Sequence, residues 1–565
     1  MKKIISVLLA LIMIFSTFAV SVSAVSNEKV KYPIIFIAGS SVDLVDGDQN
    51  PISTGFDVLT DDDEGDITKE DIVQKTMNVL LPFFTEGLPF DKWDTYGKKL
   101  YEELAPIFEE GQLDGNGNPK FGTGVAEAEL KEWDNNALKD HGKDGTFGYI
   151  DYKFRYDWRL SPYDTIDRLD KYIDTILKTT KCEKVCLVGR CLGGNIVTAY
   201  LDKYGSEGKV AKVVYDEVMS NGSTTINDVF SGKIAFNDKL IQAYVAESEH
   251  YGKQDVGIDL STMNNIILEV IDRALDLLTQ TGVVDTVFGG VEDLYAKLYK
   301  ALIPSMLLAS GIGTWASYWT SVCEKDFDAA LDLVFGKKGT ETREEFSGLV
   351  EKIQYMRERI VIPRELEGEA NLYKQFVKNH GVEIGVLAGY GLVQPPITES
   401  SYMTGDCTVD LYSASFGATA AGVFDTLSDE YIAEREALGY GDFISPDKKV
   451  DASTCLFPDT TWIMKNKHHD ILVGYYIVER FCQYKDYTVT NNYRDIERFL
   501  VAQGGGTRDF VNMTADNCQD GPWLDVVEQK PTTETKLVSL MRFLTTIFKF
   551  ITELLKGNIN FDLFN

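Results

Sequence analysis

Residues 185–204 constrain this chain more than any other stretch. Val185-Cys186-Leu187-Val188 is a short apolar run of the kind found in a strand buried on both faces. Gly189-Arg190-Cys191-Leu192-Gly193 then turns the chain, and Gly194 to Tyr204 reads as a helix. The turn has the form Gly-x-Cys-x-Gly, the strand–turn–helix elbow that exposes a nucleophile, here with cysteine in place of serine. At 189 and 193 side chains would collide with the neighbouring strand and helix, so glycine is required. A thiol at 191 stands at a helix N-terminus, where roughly half a positive charge favours thiolate. The competing reading is a buried structural cysteine.

The flanking segments alternate strand and helix, which predicts an α/β protein with a mostly parallel sheet. Tyr32 to Ile37 is a continuous apolar run ending at Gly39, and Tyr149 to Arg155 is a second strand candidate. Residues 164–180 place Ile166, Leu169, Ile173, Ile176 and Leu177 on one helical face. Val210 to Tyr215 and Val386 to Ala388 are further strands. The expected division is a core over 25–223 and 382–528, interrupted by a helical cap at 224–381, in which 263–278 and 344–358 have helical periodicity. Ala301 to Trp319 carries no charge, but Pro304, Gly311, Gly313 and several serines favour a buried or substrate-facing cap segment over a membrane span. Asp114-Gly115-Asn116-Gly117-Asn118 resembles a fragment of a calcium loop but lacks the downstream glutamate, so an ordinary turn is expected.

The two ends carry their own signals. Lys2 and Lys3, the apolar run Ile4 to Val20 and Val22-Ser23-Ala24 fit a signal peptide over 1–24, with an uncleaved anchor as the alternative. Secretion, with possible cell-surface association, is the expectation. After a polar stretch at 529–535, apolar residues at 537, 540, 541, 544, 547, 548, 551, 554 and 555 form one face of an amphipathic helix. That helix over 537–555 either lies at a membrane interface or packs on the domain. Without Lys2 and Lys3 the chain has 54 basic and 87 acidic residues (56 − 2 against 87), a net charge near −33 that repels phosphate backbones and argues against nucleic-acid binding. Eight cysteines are too few for a disulfide scaffold, and pairing is not readable from sequence. No CxxC, no HExxH and only five histidines leave little basis for a metal site, and no cofactor is expected.

An elbow nucleophile needs a base, and the base an acid, in the chain order nucleophile, acid, histidine. Asp406, in Thr404-Gly405-Asp406-Cys407-Thr408-Val409, is the acid candidate, against a turn-forming role. His468, in Lys467-His468-His469-Asp470-Ile471-Leu472, is the base candidate, against a solvated loop residue, with His469 as its competitor. His141, His250 and His380 are expected to be exposed. The oxyanion hole is expected from the backbone N–H groups of Leu192 and Ser40.

These motifs resemble the lecithin:cholesterol acyltransferase and phospholipid:diacylglycerol acyltransferase family of α/β-hydrolases. Pro33 to Ser41 resembles its first strand and oxyanion loop, and Phe154-Arg155-Tyr156-Asp157-Trp158-Arg159 its Tyr-Asp-Trp-Arg strand end. The run 185–204 resembles its elbow, and Asn221-Gly222-Ser223 its Gly-Ser segment. Gly405 to Val409 resembles its Gly-Asp-Gly-Thr-Val acid motif, and His468 to Leu472 its His-Val-Asp-Ile-Leu base motif. The resemblance implies the α/β-hydrolase fold, a covalent acyl-enzyme, a lipid or other acyl-ester substrate, and His468 over His469. Cys191 departs from the family serine and Cys407 from the motif glycine. The combined expectation is a Cys-His-Asp acyl hydrolase or acyltransferase working through a thioester. The rival is a non-catalytic protein of the same fold that binds an acyl ligand.

Overall fold

The computed structural model describes residues 32–39, 44–49, 93–122, 124–126, 130, 151–235, 237, 239–244, 246–247, 302–469, 475–492, 496–502 and 510–524. The expected signal peptide, the helix at 263–278, the amphipathic helix at 537–555, Ser40, His141 and His250 all lie outside these residues.

The strands are β1 (Ile34–Ile37), β2 (Tyr152–Phe154), β3 (Val185–Arg190), β4 (Val210–Asp216), β5 (Glu383–Tyr390), β6 (Thr461–Lys465), β7 (Phe499–Ala502) and β8 (Phe510–Asn512). They form one sheet in the order β8-β7-β6-β5-β4-β3-β1-β2. Every neighbouring pair is parallel except β7 and β8. A parallel sheet needs helical crossovers and cover on both faces. The alternation of side chains delivers that. Ile35, Ile37, Val185, Leu187, Val213, Tyr215, Val386 and Ala388 pack on one face under helices α1 (Pro162–Thr180) and α2 (Leu192–Tyr204). Ile34, Phe36, Cys186, Val188, Val214, Leu387, Trp462 and Met464 pack on the other, against Ile477, Val478, Phe481 and Cys482. The chain is therefore an α/β protein with a mostly parallel central sheet flanked by helices.

Local signals set the helix limits. Ser161 caps α1 by accepting from Tyr163 N, Pro162 opens it, and Lys181 closes it in the left-handed region. The apolar stripe read from sequence is buried at Ile166, Leu169, Ile173 and Ile176.

Between β4 and β5 the described chain is helical, with α3 (Thr224–Ser231), α4 (Phe327–Phe335), α5 (Ser347–Met356) and α6 (Leu372–His380). The uncharged stretch read from 301 onward is helical only over 302–309, then continues in 3-10 turns. It is mostly buried. Trp319 stacks on Phe335 with centroids 5.4 Å apart and meets Phe230 edge-on, while Trp315 meets Trp158 edge-on at 4.8 Å. Among the described residues no helix is long and apolar enough to cross a membrane. Asp114 Oδ1 accepts from the backbone N–H groups of Asn116 and Asn118, and Gly115 O accepts from Leu349 N, so this segment is a turn docked on α5. His380, expected to be exposed, is half-buried. The end of α6 lays it on Phe376 and against Gly205, which has no side chain to keep it out.

Candidate active site

The carboxyl ends of β1, β3, β4, β5 and β6 meet at one edge of the sheet, and the chemistry-bearing residues sit on the turns that follow them. Cys191 follows β3 and precedes α2, with φ +51° and ψ −126°, a region that side-chain-bearing residues rarely occupy. Its N–H donates to Asp216 O and its C=O accepts from Gly194 N, which fixes the elbow. The flanking glycines have their expected cause. A Cβ at Gly193 would run into the Ile37 carbonyl, and one at Gly189 would stand 2.8 Å from Gly194 Cα. Gly39, after β1, is also forced small, because a Cβ there would lie 3.0 Å from Cys191 Cβ and 3.3 Å from its Sγ.

The Tyr-Asp-Trp-Arg segment after β2 braces this edge. Tyr156 Oη donates to Ala38 O at 2.9 Å, tying down the end of β1 beside the thiol. Asp157 and Arg159 form a bidentate pair at 3.0 and 2.8 Å, and Arg159 is fully buried. Trp158 reaches Trp315 of the segment between β4 and β5.

Asp406 lies on the turn after β5. Its Oδ1 accepts from Thr408 N at 2.9 Å and Val409 N at 2.6 Å, and it is fully buried. Burial opposes its ionisation, but the His469 imidazole and those two N–H groups outweigh burial and hold the carboxyl below its usual range. Cys407 occupies the glycine position of the resembled motif at φ +77°, so the turn keeps the glycine conformation although the residue has a side chain.

The imidazole opposite Asp406 is His469. Its Nδ1 lies 2.8 Å from Asp406 Oδ2, and its backbone N–H donates to Asp406 O at 2.9 Å. The Cys191 side chain acts on the same ring, and with Nδ1 engaged by Asp406 the nitrogen left to serve the thiol is Nε2. Burial pulls the ring pKa down, but Asp406 and Cys191 together raise it well above 6.5. His468, the residue favoured from sequence, is turned away, with Nε2 3.3 Å from Cys407 Sγ. Asn466 follows β6 at φ +59°, its N–H donating to Tyr390 O, and in the turn beyond it Lys467 and His469 are buried while His468 is half-buried. Leu192 is the first residue of α2, so its N–H is one of the helix's unpaired donors, beside the thiol.

Sequence reasoning missed the charged layer beneath these residues. Arg190, Asp216, Glu217 and Lys467 are all buried. Arg190 pairs with Asp216 at 2.8 Å and Glu217 at 3.3 Å, and Lys467 with the same two at 3.0 and 2.7 Å. Burial raises Glu217 to about 8, against the pull of Lys467 and Arg190. Donor atoms of Glu217, Asp406 and His469 lie within 4.8 Å of one another, close enough in principle to share a cation. Lys467 and Arg190 already supply positive charge there, and Asp406 holds Nδ1, so the donor set suits an ion-pair network better than a metal. The available signal was position: Arg190, Glu217 and Lys467 each lie within two residues of a strand's carboxyl end.

Residues 145–249, a minority of the chain that includes β2, β3, Cys191 and β4, match the family model described as lecithin:cholesterol acyltransferase. No curated protein matches the chain. The match supports a relation to the lecithin:cholesterol acyltransferase family across the segment that carries the elbow.

Proposed function

We propose that this chain is a secreted acyl hydrolase or acyltransferase acting on a lipid-like ester, with Cys191 as nucleophile, His469 as base and acid, and Asp406 as the orienting carboxylate. The observation that carries the proposal is the buried His469 ring, held by Asp406 with Nδ1 to Oδ2 at 2.8 Å and influenced by the Cys191 side chain at the elbow. The family match over 145–249 supports the substrate class.

In this reading the imidazolium holds Cys191 as thiolate. Sγ attacks the ester carbonyl carbon, forming the C–S bond, and the carbonyl π electrons move to oxygen. The Leu192 N–H stabilises that oxyanion; Ser40, the second donor read from sequence, lies outside the described residues. The tetrahedral species collapses, the C–O bond breaks, and the alkoxide leaves with the proton from His469 Nε2. Water or an acceptor alcohol then gives its proton to His469 and attacks the thioester. The C–S bond breaks and the thiolate is restored. The acidic surface is compatible with a neutral or zwitterionic substrate.

The test is hydrolysis of p-nitrophenyl butyrate and of phosphatidylcholine vesicles by the full chain, with Cys191 labelling by iodoacetamide followed by peptide mass spectrometry. Loss of turnover in step with labelling at Cys191 is expected. Turnover that survives complete labelling sinks the thioester reading and leaves the non-catalytic, acyl-binding alternative.

A further inference from the structure

We propose that Glu217 is a second acidic partner of the His469 imidazole, a positioning residue that keeps the Cys191–His469 pair charged when Asp406 alone does not. The proposal rests on the Cys-His-Asp reading above and adds a group that neither the motifs nor the family match assigns.

Two carboxylates converge on one ring nitrogen. Asp406 Oδ2 lies 2.8 Å from His469 Nδ1, and Glu217 Oε2 lies 3.7 Å from the same atom. They arrive from different strands, Glu217 from the end of β4 and Asp406 from the turn after β5. The backbone at 217 is built for this approach. Glu217 has φ +51°, its N–H donates to Leu387 O at 2.9 Å, and Gly389 clears the space, since a Cβ there would stand 2.7 Å from Glu217 Oε1.

Among the described residues, Arg190 and Lys467 each meet two carboxylates, Asp216 at 2.8 and 3.0 Å and Glu217 at 3.3 and 2.7 Å. Glu217 therefore shares its cations with Asp216 and has Asp406 as a further acidic neighbour. Burial, together with Asp406 and Asp216 on the same side, raises it to about 8, although Lys467 and Arg190 pull the other way. The groups facing it are thus Arg190, Asp216, Asp406, Lys467 and His469. Removing the Asp406 charge removes a repulsive neighbour, so Glu217 ionises more readily and an inward shift of about an ångström brings it to Nδ1–H at hydrogen-bond distance.

The experiment is the pH profile of iodoacetamide alkylation at Cys191, read by peptide mass spectrometry on the full chain. Wild type is compared with H469A, D406N, E217Q and D406N/E217Q, each checked by circular dichroism melting. At pH 6 wild type and D406N are expected to alkylate at comparable rates, and the double variant at least tenfold more slowly than D406N. Superposed profiles for D406N and the double variant overturn the proposal. If the double variant fails to fold, D406N against H469A decides: D406N should alkylate at pH 6 at least tenfold faster than H469A, because Glu217 still supports the imidazole. Superposed profiles for those two variants overturn the proposal. A profile for H469A identical to wild type fails the underlying Cys-His pairing instead, a distinguishable result.

Discussion

Exchanging either of the two adjacent histidines for alanine separates a reading based on sequence motif from one based on geometry. His469→Ala removes a buried ring held by Asp406 and influenced by Cys191. Two losses follow. General acid–base assistance contributes about 10²–10⁴ in rate. The thiol also loses the imidazole that serves it as base, which can only add to that loss. Taking the lower bound of the first factor, kcat/KM should fall by about 10² or more, about 3 kcal/mol of transition-state stabilisation. His468→Ala removes a half-buried ring that faces Cys407, with Nε2 3.3 Å from its Sγ. Its effect on kcat/KM should stay within about threefold and on stability within about 1 kcal/mol. Initial rates with p-nitrophenyl butyrate at pH 7, with melting curves for both variants, measure the contrast. A His468→Ala loss equal to or larger than that of His469→Ala refutes the geometric assignment.

Other substitutions test the supports of the site. Cys407→Gly relieves a side chain held at φ +77° and should raise stability by about 1 kcal/mol with kcat/KM unchanged, measured by urea unfolding; a loss of stability would mean that Cys407 packing outweighs backbone strain. Gly193→Ala drives a methyl into the Ile37 carbonyl, so kcat/KM should fall at least tenfold as the elbow shifts, and wild-type kinetics would contradict the close approach. Arg190→Ala takes from the buried carboxylates of Asp216 and Glu217 one of the two cations that meet them among the described residues and should cost about 3–5 kcal/mol of unfolding free energy. Glu217→Gln tests linkage. A carboxyl raised to about 8 in the folded chain, against an unfolded value of 4.5, loses its contribution to stability progressively between those pH values. The unfolding midpoint of the variant should therefore gain on wild type as pH rises from 5 to 8; a difference independent of pH would show that Glu217 is not raised.

Strands and helices with local signals were legible before any coordinates. Val185 to Val188 extends only to Arg190 in the fold, and Val210 to Tyr215 gains a single residue at Asp216. The later strand, read as Val386 to Ala388, runs from Glu383 to Tyr390, because Glu383 and Gly385 interrupt the apolar run without breaking the ladder to β4. The family resemblance favours His468, since a motif match aligns residues and carries no information about which way each side chain faces in the fold.

The sequence by itself determined the alternation of strand and helix and the glycine-flanked turn at Cys191, because both depend on periodicity and on steric limits within a few residues. Tertiary structure decided which imidazole meets Asp406, and it assembled Arg190, Asp216, Glu217 and Lys467 into one buried layer. Those outcomes depend on four strand ends that are far apart in the chain and adjacent only in the sheet. Parallel pairing brings them to one edge, and in the turn after β6, entered at the left-handed residue Asn466, Lys467 and His469 are buried.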